Sequence, residues 1–170
     1  MKWLIPLVGL ALAGWFFWFQ ANTTKISYVN GLAPYDVMPG REYILQHDCY
    51  VFNWIEHPAS GFPLLGTNAT GAATRVSALP ADSSDSYRGR TLAEVRIVDR
   101  IPRGTRLLLT SVRREESRGA GTVISYEAKF LDEVERPYQK VDLRPLLLPV
   151  AQGGDVPAID TTILVPWIKR

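Results

Sequence analysis

The stretch Thr122-Val-Ile-Ser-Tyr-Glu-Ala-Lys-Phe-Leu131 carries the strongest fold signal in this chain. Apolar side chains occupy every second position from Ile124 to Phe130, and polar side chains fill the positions between them. A period of two places the apolar side chains on one face of a β-strand. The same alternation occurs upstream, where Val95 and Ile97 are separated by a charged residue. These segments predict strands with one face turned towards a core.

The rest of the chain after residue 20 also indicates strands joined by turns. Residues 43–55 form a β-branched and aromatic run, and residues 56–72 form a long loop rich in glycine and proline. Residues 106–112, 141–148 and 161–168 add further candidate strands. Because no apolar stripe of helical period follows the amino-terminal segment, the sequence predicts a mainly β domain. A small closed barrel is preferred over a two-sheet sandwich at this length.

Residues 92–131 resemble part of a bacterial SH3-like small β-barrel. The resemblance lies in the turn and strand Ile101-Pro-Arg-Gly-Thr-Arg-Leu-Leu-Leu-Thr110, followed by a polar hairpin and the strand of residues 122–131. In that family a glycine turn introduces a strand that pairs with a following hairpin, and Tyr126 is a loose counterpart of the aromatic residue after it. The resemblance implies a binding or assembly module, sometimes in contact with cell-wall material, and not an enzyme. It assigns no binding residues.

The amino terminus reads as a membrane segment. Lys2 is followed by an uncharged apolar run from Trp3 to Phe19, with tryptophans near both ends. As a helix this run rises about 25 Å, close to the roughly 30 Å of a bilayer's hydrocarbon core. A cleaved signal peptide is the alternative, with Ala11-Leu12-Ala13 as its cleavage pattern. The sequence predicts an uncleaved transmembrane helix.

The basic residues near this segment predict its orientation. Lys2 lies on one side of it, and the other side carries no basic residue before Lys25. We therefore expect the protein in a bacterial inner membrane as a single-pass protein, with the amino terminus inside and the bulk in the periplasm or outside. The expected domains are an anchor (1–21), a tether (22–41), a β-barrel domain (42–149) and a carboxyl-terminal extension with a possible last strand (150–170).

The net charge gives no reason to expect a nucleic-acid partner. The chain carries a formal net charge of only +2, so its composition does not indicate nucleic-acid binding. Residues 88–118 concentrate nine arginines against four acids. This segment is either a solvated strand face, which we prefer, or a surface that docks on anionic envelope polymer or lipid.

The candidates for catalysis are few. Cys49 is the only cysteine, and His47 lies two positions before it. An envelope enzyme using Cys49 with His47 is one alternative function, although a buried structural cysteine in an apolar run is preferred. The histidines and carboxylates lack the spacing of a zinc site, and Asp132, Glu133 and Glu135 lack the glycine of a calcium loop. No metal or cofactor is expected.

The candidate binding residues combine aromatic and basic side chains. Trp54 and Phe62 flank the long loop. The arginines chosen with them are Arg96, Arg103, Arg106 and Arg113. Together these features predict a membrane-anchored, non-catalytic binding or scaffolding domain of the cell envelope, with a protein partner or an envelope polymer as its ligand.

Overall fold

The computed structural model describes residues 14–15, 24–55, 62–67, 89, 91–92, 95–117, 121–148 and 156–168. These residues are mainly β, and a single 3₁₀ turn at Arg144–Leu146 is the only helical element among them beyond the pair 14–15. The strands are β1 (Lys25–Tyr28), β2 (Glu42–Leu45), β3 (Cys49–Trp54), β4 (Leu64–Gly66), β5 (Thr91–Leu92), β6 (Val95–Ile101), β7 (Arg106–Ser117), β8 (Gly121–Phe130), β9 (Val141–Asp142) and β10 (Leu164–Pro166).

These ten strands form one sheet in the order β10-β2-β7-β8-β9-β4-β3-β6-β5, and β1 pairs with β7 beside β2. All described pairs are antiparallel except β4 with β9. The long β7–β8 hairpin is the centre of this arrangement. The alternating stretch described above forms β8, so the strand predicted there is confirmed.

A tight turn joins β6 to β7, as the sequence predicted. Gly104 adopts a φ of 88°, which glycine reaches without the steric cost of a Cβ atom. The hydroxyl of Thr105 donates to the carbonyl oxygen of Pro102 at 2.8 Å, and the Asp48 carboxylate accepts from the amide of Arg103 at 2.8 Å. The turn is thus held both locally and by a distant carboxylate.

The apolar run 43–55 is two strands and not one. Residues 46–48 separate β2 from β3, and β3 pairs with β4 on one side and β6 on the other. Asp48 lies in this break, where it binds Arg100 at 2.5 Å in addition to the Arg103 amide. The prediction of a single run failed because the partners of Asp48 are more than fifty residues away.

The sheet has two unlike faces. One face carries the larger apolar core, which includes Cys49, Leu65, Leu109, Tyr126 and Leu164. The other face carries a smaller apolar cluster, and beside it a set of buried polar and charged side chains. The smaller cluster consists of Tyr50, Phe52, Leu64, Val95 and Ile97, with Trp54 packed against it.

The described segments 24–41 and 156–168 both contribute to the sheet. Residues 24–41, assigned above to a tether, supply β1 and a series of turns that bond to β7, with the Asn30 side chain accepting from the Val112 amide at 2.6 Å. In the carboxyl-terminal segment, β10 pairs with β2, and the carbonyl oxygen of Pro157 accepts from the Tyr126 hydroxyl at 2.8 Å.

The prediction of a closed SH3-like barrel is wrong. Among the strands that the structure describes the sheet is open, with β10 and β5 as its two ends, whereas a barrel requires its terminal strands to pair. Turn spacing within residues 92–131 predicted local hairpins correctly but carried no information on how distant strands pair. That information lies in contacts such as β4 with β9 and β2 with β10.

The predicted transmembrane helix is also contradicted. Among the described residues, no helix has the length and apolar character needed to cross a bilayer. Within the predicted anchor only Gly14 and Trp15 are described, as helical, and the remainder of Trp3–Phe19 lies outside the described residues. The inner-membrane location and orientation rested on that helix and are withdrawn with it.

Candidate binding groove

A groove of about 1040 Å³ lies at the end of the sheet where β3 ends and β6 begins. Its lining comes from β3 and the next residue, from residues 62–64 and 96–98, from Gly89 and from the segment 137–139. The side chains that line it include those of Asn53, Trp54, Phe62, Arg96, Tyr138 and Gln139. Three of the six candidate binding residues, Trp54, Phe62 and Arg96, therefore line one groove.

Strand register explains how the groove receives these side chains. Asn53 is paired with Arg96, and Trp54 is paired with Val95. Because side chains alternate along a strand, Trp54 lies on the face of the smaller apolar cluster while Asn53 and Arg96 project from the opposite face. The groove crosses the end of the sheet, so residues from both faces line it.

Trp54 is held by the smaller cluster beneath it. Its ring meets the ring of Phe52 edge to face, with centroids 6.4 Å apart and an interplanar angle of 83°. Phe52 is almost completely buried, whereas Trp54 is half-buried and keeps part of its indole open to the groove. A rigid, partly exposed tryptophan is the kind of side chain that anchors a bound partner.

Tyr138 is fixed from the other side of the groove. Its hydroxyl donates to Asp99 at 3.0 Å, and its ring lies 6.0 Å from that of Phe130 in an edge-to-face arrangement. The Arg136 guanidinium stacks 4.4 Å from the centre of the Phe130 ring. These contacts hold residues 137–139 against the sheet without any regular secondary structure.

Arg96 differs from the neighbouring arginines in its partners. Arg100, Arg106 and Arg114 each lie within 4 Å of a carboxylate, from Asp48, Glu42 and Glu116 respectively. Arg96 is exposed and has no carboxylate partner among the described residues. It is also the only charged side chain among the described residues that line the groove.

The other candidate arginines lie outside the groove. Arg103 is exposed in the β6–β7 turn, where its backbone binds Asp48. Arg106 stacks on Trp167 at 5.5 Å and pairs with Glu42 at 3.8 Å, near the opposite end of the sheet order. Arg113 is only 2% exposed, so it belongs to the interior and not to a binding surface.

Arg113 is the centre of a buried ionic network. Its guanidinium lies 2.8 Å from Glu115, 3.1 Å from Asp142 and 4.0 Å from Glu127. Arg144 also contacts Glu115 and Asp142, each at 3.3 Å. Three carboxylates thus share the positive charge of two arginines on the second face of the sheet.

Glu127 connects this network to its surroundings. Fully buried, it accepts from Ser111 at 2.5 Å and from Tyr28 at 3.2 Å, and it pairs with Lys140 at 3.2 Å. The Lys140 ammonium also lies 5.7 Å from the centre of the Phe62 ring. A single lysine therefore joins the ionic network to the rim of the groove.

Burial raises the pKa of Asp142, and the nearby charges of Arg144 and Arg113 together with the Arg144 amide only partly oppose this effect. An acid with a raised pKa in the folded state binds its proton more tightly there than in the unfolded state. Asp142 therefore contributes to stability in full below its ordinary pKa of 3.8. That contribution is lost as the pH rises from 3.8 through the raised pKa of the folded state.

We expect the free energy of unfolding of Asp142→Asn, relative to that of the native protein, to be higher at about pH 7 than at about pH 4. The reason is that asparagine carries no charge to bury, whereas aspartate is ionised at the higher pH. Urea unfolding at several pH values measures the difference. Asp48→Asn is the control. The hydrogen bond from Arg100 lowers the pKa of Asp48, so the stability of this variant relative to the native protein should change with pH in the opposite direction. Parallel pH profiles for the two variants would contradict the prediction.

Cys49 lies in the larger core. It is fully buried, its thiol donates to the backbone carbonyl oxygen of His47 at 3.7 Å, and His47 itself is exposed. Burial, with a smaller contribution from the Asp48 charge, raises the pKa of Cys49 to about 12. A nucleophilic thiol needs the opposite shift and an adjacent base. This geometry favours the structural interpretation of Cys49 over the enzymatic one.

Four of the six described arginines of the arginine-rich segment are buried or paired with carboxylates, and the other two, Arg96 and Arg103, are exposed. Arg113 is buried, and Arg100, Arg106 and Arg114 pair with acids of the same sheet. Arg88, Arg90 and Arg118 lie outside the described residues. The described residues also contain no cluster of His, Cys, Asp and Glu able to hold a metal ion.

Sequence reasoning missed two parts of this region. Tyr138 and Gln139 reach the groove through a contact between the 137–139 segment and residues far upstream, and no local pattern marks them. The ionic network left a faint signal, because Ser125 and Glu127 alternate with core residues on β8. Polar residues in that pattern normally face solvent, so their burial could not be predicted.

Comparison of the chain with protein-family models, curated proteins and solved structures finds no match.

Proposed function

We propose that this domain is a non-catalytic binding module whose partner occupies the groove at the end of β3 and β6. The observation that carries the proposal is the convergence of Trp54, Phe62 and Arg96 on that groove. Aromatic residues and arginine supply most of the energy at many interfaces, particularly where a rigid apolar support lies beneath them. Here the cluster of Phe52 and Ile97 provides that support.

The size and lining of the groove favour binding over simple surface roughness. A volume of about 1040 Å³ is at the upper end of the range for ligand sites, and several large apolar side chains line it. Burying the exposed part of the Trp54 indole against a partner removes apolar surface from water at a gain of about 25 cal/mol per Å². Catalysis lacks comparable support, because the thiol that could perform it is buried.

This function can be tested by selecting binders from a random peptide library against the immobilised full chain. The chain is kept in mild detergent because residues 3–19 are apolar. We expect related peptides to be enriched, and Trp54→Ala to weaken their binding by about thirtyfold or more, as for an interface anchor. Trp167→Ala is the matched control, since Trp167 is exposed but lies outside the groove. Enrichment that survives Trp54→Ala, or an equal loss in both variants, would refute the proposal.

A further inference from the structure

The charge of the groove limits what can occupy it. Arg96 contributes one positive charge, and no described lining residue contributes a negative one. The lysine at the rim, Lys140, is already paired with the buried carboxylate of Glu127. An occupant with one carboxylate beside Arg96 would complete a charge-assisted pair, which is about twice as strong as a neutral hydrogen bond. A highly charged polymer fits less well, because it would need several cations to neutralise it.

The remaining lining indicates the rest of the occupant. Apolar side chains such as Trp54, Phe62 and Val98 cover much of the groove, whereas Asn53 and Gln139 place exposed amides in it. An amide can both donate and accept, which suits the N–H and C=O groups of a peptide backbone and gives no advantage to a hydrocarbon chain.

The path of the groove indicates an extended shape. Arg96 and Asn53 project from one face of the sheet, whereas Trp54 projects from the other. Only an occupant that crosses the end of the sheet contacts both. We propose that the ligand is an extended segment of a partner protein, with apolar side chains for Trp54 and Phe62 and a carboxylate for Arg96. This inference rests on the proposed function.

The experiment uses the peptides enriched by the library, each resynthesised with its acidic residue changed to the corresponding amide. We expect Arg96→Gln to weaken binding of the acidic peptide by about tenfold or more and to leave binding of the amide peptide unchanged. Arg114→Gln is the control: Arg114 is also exposed but lies outside the groove, so its replacement should change neither affinity.

Charge reversal gives an independent readout. Arg96→Glu is expected to bind a peptide with lysine in place of the acid better than it binds the original peptide. If the enriched peptides bind through Trp54 but show no dependence on a carboxylate or on Arg96, the ligand class is wrong while the binding function stands. If heparin, as a model polyanion, displaces the peptides at low salt and loses this ability steeply as salt rises, the occupant is a polyanion and the inference is overturned.

Discussion

Replacing Arg113 with methionine is expected to lower the free energy of unfolding by about 3–5 kcal/mol, which is a large part of the stability of an ordinary domain. The substitution keeps much of the apolar stem but removes the guanidinium that lies near three carboxylates. Glu127 and Asp142 are both fully buried. Removing one partner of a buried ion pair leaves charge in a low-dielectric interior, and that penalty dominates the effect.

Urea unfolding followed by tryptophan fluorescence measures this change, since urea, unlike guanidinium, does not screen charges. Arg114→Met is the matched control, because Arg114 is the next residue on β7, is 44% exposed and pairs only with Glu116 among the described carboxylates. We expect it to change stability by less than about 1 kcal/mol. Equal effects of the two substitutions would show that the network does not form around Arg113.

A double substitution separates the network from simple loss of packing. When Asp142→Asn is added to Arg113→Met, one of the stranded carboxylates disappears. The two changes should then cost less together than the sum of their separate effects, by about 0.5–3 kcal/mol. Additive costs would indicate that Arg113 and Asp142 do not stabilise each other in the folded domain.

The sequence predicted the parts of the fold that depend on local pattern. The alternation of residues 122–131 and of Val95 with Ile97 specifies strands, and the glycine at position 104 specifies the turn between β6 and β7. Closure of the sheet was mispredicted, because whether β5 and β10 meet depends on contacts between distant segments. The local pattern of apolar and polar residues does not determine which distant segments come into contact.

The candidate site was predictable to a similar extent. Trp54 and Phe62 could be chosen because both are aromatic and flank the long loop, and both line the groove. Residue type alone could not show that Arg113 is buried whereas Arg96 is exposed. Their difference arises from register, since Arg113 lies opposite Tyr28 on one neighbouring strand and Ser125 on the other, within a buried polar region.

Phe52→Ala is expected to lower the free energy of unfolding by about 3–5 kcal/mol and, separately, to weaken binding in the groove. Phe52 is 1% exposed within the smaller cluster, so its removal leaves a cavity that the neighbouring strands fill only in part. Its ring also supports Trp54 edge to face. Without that support the indole gains rotational freedom, and binding then carries the additional entropy cost of ordering it.

Two control variants distinguish support of the groove from general stability. Leu109→Ala removes a fully buried side chain from the larger core, away from the groove, and should cost about 2–5 kcal/mol while leaving peptide affinity unchanged. Phe52→Leu removes less volume than either alanine substitution and should therefore cost less stability, yet it removes the aromatic contact with Trp54. We therefore expect Phe52→Leu to weaken peptide binding more than Leu109→Ala does, although it is the more stable protein. Affinities that instead follow stability across the three variants would show that Phe52 acts only through the core, because positioning of Trp54 is the one effect that reverses that order.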